Sequence, residues 1–75
     1  MNVSTDDIRN IKPGTIEPFV CEDIPAMYSA ASLISRVKNI GMPEGVVDYE
    51  SQRFFDRKVI LIHAMKDGDE KVLNR

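Results

Sequence analysis

The sequence predicts an α+β domain: a three-stranded, antiparallel-type sheet in β-α-β-β order, with one amphipathic helix packed on one face. Three observations carry this reading. The run Val59-Ile60-Leu61-Ile62-His63-Ala64-Met65 is short, rich in β-branched residues and apolar on both alternating faces, as a strand covered on both sides would be. Residues 24–40 repeat Met27, Ala30, Ala31, Ile34 and Val37 at helical spacing. Turn residues fall between the periodic segments, at Lys12-Pro13-Gly14, Glu44-Gly45 and Lys66-Asp67-Gly68-Asp69.

The elements follow in order. Residues 4–11 suit a short N-terminal turn of helix, with Ser4 or Thr5 as cap and Asp6 and Asp7 in the first turn. Pro13-Gly14 fits a type II turn, with Gly supplying a positive φ. Thr15 to Cys21 reads as a strand, and Pro18, which cannot donate to a ladder, makes it an edge strand. Asp23 is a good N-cap and Pro25 is tolerated in the first turn, so the helix runs from Ile24 to Ile40. Leu33 and Ile40 widen its apolar stripe; Ser29, Ser32, Arg36 and Asn39 form the polar one. Gly41 and Pro43 end it.

Val46 to Phe55 is open to two readings. As a strand it places Val47, Tyr49, Ser51, Arg53 and Phe55 on one face; as a helix it is capped by Asp48 and uses Glu50, Gln52 and Arg53. The short Asp56-Arg57-Lys58 connection into Val59–Met65 favours a strand and a hairpin, although that turn has neither Gly nor Asn. Residues 1–75 thus form one small domain, with 1–14 partly ordered and 67–75 a flexible tail.

A chain of 75 residues needs good packing, a staple or a partner. The one cysteine, Cys21, excludes an internal disulfide, and no Cys/His cluster suggests a structural metal. Oligomerisation is the remaining reinforcement, and a homodimer is expected through Ile60, Leu61, Ile62 and Phe55. The acidic, polar start is unlike a secretory signal and no run approaches a membrane span, so the expectation is a cytoplasmic protein without a membrane partner. Net charge is −2, with a mildly basic middle between acidic ends.

Candidate chemistry is sparse. Cys21 and His63 are the one soft or nucleophilic pair, and an inert thiol with a lone strand histidine is the simpler account. Ser29, Ser32 and Ser35 form a hydroxyl-bearing helix set that a solvated face explains as well. Arg36, Arg53, Arg57 and Lys58 are the candidate phosphate or nucleic-acid contacts. Tyr49, Phe54 and Phe55 are a candidate stacking platform, weighed against core packing. No catalytic, cofactor or metal residues are indicated, and no enzyme is expected.

The order Lys12-Pro13-Gly14, Pro18-Phe19-Val20-Cys21, then Tyr28-Ser29-Ala30-Ala31-Ser32-Leu33 with Arg36, followed by Met42-Pro43 through Val59–Met65, resembles small uncharacterised proteins of bacteriophages and bacterial integrative elements. The resemblance covers residues 11–66. It implies a β-α-β-β domain and a non-enzymatic accessory role in a mobile element, contacting nucleic acid. Two other classes stand beside it: a protein-interaction module or inhibitor with an unidentified protein partner, and a binder of a small phosphorylated ligand.

Overall fold

The computed structural model describes residues 3–73. Its elements are α1 (Thr5–Arg9), β1 (Thr15–Val20), α2 (Ile24–Ile40), β2 (Asp48–Phe54) and β3 (Val59–Met65). The three strands form one antiparallel sheet in the order β1-β3-β2, so the most apolar strand lies in the centre. This is the α+β fold that the sequence predicts, and residues 48–54 are strand.

Local chemistry sets the boundaries. Ser4 caps α1 and exchanges hydrogen bonds with Asp7 in a capping box. Asp23 caps α2 by accepting from the Ala26 N–H at 2.9 Å, and the helix ends at Gly41, whose φ of 138° suits glycine. The Lys12–Thr15 turn closes with Thr15 N–H donating to the Lys12 carbonyl, and Gly14 takes φ 84°. In the β2–β3 hairpin, Lys58 adopts the left-handed conformation at φ 55°, the position where sequence offers neither Gly nor Asn.

Sheet alternation divides the molecule. Tyr49, Ile60, Ile62 and Ala64 face the helices, where they pack with Ile8, Ile11, Met27, Ala30, Ile34 and Val37. Ile60 and Ile62 are fully buried within one copy of the chain. They hold the helix layer, so these two of the four expected interface residues are core; Leu61 is half-buried on the opposite face and Phe55 is exposed. Ile40, placed by periodicity on the flank of the stripe, is exposed at the end of α2. Ile8 and Ile11 are core residues, so the N-terminal segment is docked where the sequence suggests partial order.

The opposite sheet face is unequally covered. Over β1 it presents Ile16, Pro18 and Val20 to solvent. Over β2 and β3 the chain beyond Met65 returns across it. Val72 and Leu73 donate their backbone N–H groups to Glu50 at 2.8 and 3.0 Å. Residues expected as part of a flexible tail therefore have specific partners, because a buried carboxylate needs donors. Residues 74 and 75 of that tail lie outside the described residues.

Candidate functional site

The site is a groove of about 400 Å³ between α2 and the edge strand β2. Lys38, at the C-terminal end of α2, pairs with Asp48 at the start of β2 at 3.0 Å. Tyr28, near the N-terminal end, meets Phe55 just past the end of β2, ring centroids 5.9 Å apart. Helix and strand therefore run antiparallel along the groove. Ala31, Ser35 and Lys38 line one wall at helical spacing, with Tyr28 continuing the row. Tyr49, Ser51, Arg53 and Phe55 line the other at strand spacing. Lys71, from the returning C-terminal segment, completes the lining.

One end of the groove is aromatic and cationic at once. Tyr28 and Phe55 are both exposed, at 53% and 42%. The Arg53 guanidinium carbon lies 5.2 Å from the Tyr28 ring centre and 5.7 Å from that of Phe55. These separations are in the range of cation–π attraction, so the three side chains hold one another in place. The other end is electrostatic. The Lys38 hydrogen bond holds the Asp48 carboxyl below its usual range, and Lys71 adds to the same effect. Asp48 thus offsets part of the charge of Lys38 and Lys71. Its carboxylate also accepts the Tyr49 N–H at 2.8 Å.

A buried polar cluster lies on the face of the sheet away from the helices. Glu50 and His63 are each 5% exposed, and His63 Nδ1 stands 2.7 Å from Glu50 Oε2. His63 Nε2 lies 3.6 Å from an Asp69 oxygen. Burial pushes the Glu50 carboxyl up, but hydrogen bonds from His63, Val72 and Leu73 outweigh it, and the net shift is downward. Glu50 is therefore an ionised anchor for the chain beyond β3.

The other sequence candidates fall elsewhere. Of Arg36, Arg53, Arg57 and Lys58, only Arg53 lines the groove. Arg36 is exposed on α2 outside the groove lining, and Arg57 and Lys58 are exposed in the hairpin turn. The expected platform of Tyr49, Phe54 and Phe55 is dispersed: Tyr49 is buried in the core and Phe54 alternates to the other face. Tyr28 is the aromatic partner that Phe55 actually has. Its signal in the sequence is its place three, seven and ten residues before Ala31, Ser35 and Lys38, on the flank of the apolar stripe. Ser35 lines the groove while Ser29 and Ser32 are exposed outside it.

Cys21 and His63 do not meet. Cys21 is buried with the helix-side core, and His63 is on the opposite face with Glu50. Burial, then the nearby Asp23, pushes the thiol up, which keeps it protonated and unreactive. Among the described residues no group of three or more His, Cys, Asp or Glu has an arrangement that could hold a metal ion. No described helix is long and apolar enough to cross a membrane.

Comparison with known proteins adds no identity. No protein-family model matches the chain, and neither a curated protein nor a solved structure matches it.

Proposed function

We propose that this chain is a non-enzymatic binding module whose α2–β2 groove holds a short stretch of single-stranded nucleic acid. The observation that carries the reading is the Tyr28–Phe55 pair with Arg53 against both rings. The exposed rings offer bases a surface to stack on beside the guanidinium that lies over them, and that guanidinium suits a phosphate. Ser35, Ser51, Lys38 and Lys71 continue a polar, cationic lining along the groove. The ten-residue separation of Tyr28 and Lys38 corresponds to about 15 Å of helix, which favours a strand over a single small phosphorylated ligand. A cytoplasmic accessory role in a phage or integrative element belongs to the same proposal.

The test is fluorescence anisotropy with labelled single-stranded DNA and RNA at two salt concentrations. Tyr28→Ala and Phe55→Ala should each weaken binding by about 1–3 kcal/mol if a base stacks there. Arg53→Ala should weaken it and lower the salt slope by about 0.7 for the lost phosphate contact. Tight binding of a mononucleotide with none of a strand would favour the small-ligand reading.

A second reading concerns assembly. Ile16 and Val20 are 41% and 71% exposed on the uncovered part of the sheet, next to exposed Pro18 and half-buried Leu61. An apolar row of this kind supports a homodimer closed over β1. Light scattering should then give about twice 8.5 kDa, and Val20→Asp should return the protein to monomer without unfolding it.

A further inference from the structure

We propose that the chain beyond β3 is a strap that completes the groove, with Lys71 as a phosphate-binding residue and Glu50 as the positioning residue that holds Lys71 there. The proposal rests on the groove being the site of a phosphate-bearing strand. Three observations converge on it. Lys71 lines the groove although it comes from neither α2 nor β2. The two residues after it donate their backbone N–H groups to Glu50, at 2.8 and 3.0 Å. The turn before it is closed by Asp69, which accepts the Lys66 N–H at 3.0 Å while its own N–H donates to the Lys66 carbonyl at 3.0 Å.

The strap is thus fixed on both sides of Lys71, and both fixings lead back to the same buried cluster. Asp69 approaches His63, and His63 in turn meets Glu50. A lysine on a free tail would lose conformational freedom on binding. A lysine whose backbone is held on both sides beside a groove has lost the backbone part of that freedom already. The chain uses a buried carboxylate to hold a cation for a ligand that the carboxylate itself does not touch.

The experiment is a double-mutant cycle in the full chain, Lys71→Ala with Glu50→Gln, read as the Kd for a labelled single-stranded oligonucleotide at low salt. Lys71→Ala should weaken binding about fivefold and lower the salt slope by about 0.7. Glu50→Gln should weaken binding comparably, and the double variant should be no weaker than either single one. Amide exchange supplies a readout without ligand: Glu50→Gln should speed exchange at Val72 and Leu73 while α2 and β3 stay protected. Multiplying losses in the double variant would overturn the proposal, as would unchanged exchange at Val72 and Leu73. If the wild-type chain binds no strand, the groove reading falls and the strap's role with it. If it binds and the losses multiply, only the strap falls.

Discussion

The two edge strands of the sheet make an instructive pair. Both flank β3 in antiparallel register, and both are short. In β1 only Phe19 is half-buried, where it packs against the core, and the strand's other residues are exposed. Its defence is composition: Pro18 removes a backbone donor from the edge. β2 lies between α2 on one face and the C-terminal strap on the other, and its residues are mostly buried or half-buried. Tyr28, Lys38, Asp48, Arg53 and Phe55 come together along it. An edge strand with a helix beside it and a strap behind it can hold side chains in fixed positions, whereas a bare edge cannot.

Substitutions on the two sides should separate these environments, with the largest effect in the helix layer. Ile34 packs between α2 and the sheet, so Ile34→Ala should cost about 2–5 kcal/mol in urea melts. With β1 bare, as in a single copy of the chain, Val20→Ala should cost no more than about 0.5 kcal/mol. An equal cost at Val20 would break the contrast and show that β1 is covered in solution, as the homodimer requires.

Carboxylates should behave as differently. Glu50→Ala leaves His63 and two backbone donors buried without their acceptor and should cost roughly 3 kcal/mol. Glu17→Ala, exposed on β1, should cost little. The sign of the pH dependence follows from the downward shifts at Glu50 and Asp48. Their stabilisation is complete above the usual carboxylate range and is lost as pH falls through their depressed values. Acid titration of wild type and Glu50→Gln should therefore converge at low pH.

Smaller effects sharpen the picture. The Tyr49 hydroxyl is buried without a hydrogen-bond partner among the described residues. Tyr49→Phe should thus stabilise the fold by about 1 kcal/mol in the same melts. Lys58→Gly should relieve the left-handed turn by up to about 1 kcal/mol. A loss in either variant would mean that an unrecognised contact holds that side chain.

The same contrast explains what the sequence made legible. α2 could be bounded because Asp23, Pro25 and Gly41 act through local backbone chemistry. β3 could be recognised because its composition suits a central strand. Pro18 marked β1 as an edge. Tyr28 was not legible as a site residue, since it sits at the margin of a helical stripe and its partner, Phe55, is distant in sequence. The strap was hidden for a related reason. Lys71-Val72-Leu73 has no periodicity, and its anchoring uses backbone N–H groups, which any sequence possesses. Glu50 entered only as a helix former in the alternative reading of Val46 to Phe55, because nothing local reveals that its carboxylate will be covered. Ile60 and Ile62 were assigned to a partner because two apolar faces look alike until a helix is known to cover one of them.

The claim that matters most is that function lies in the α2–β2 groove and not in exposed basic charge at large. Anisotropy titration of a labelled single-stranded oligonucleotide with wild type, Arg53→Ala and Arg36→Ala tests it directly. Both variants remove one positive charge, and only Arg53 lines the groove. The account predicts binding by wild type at low salt, a clear loss in Arg53→Ala and little change in Arg36→Ala. Equal losses in the two variants, or no binding by wild type at tens of micromolar where attraction is least screened, would contradict it.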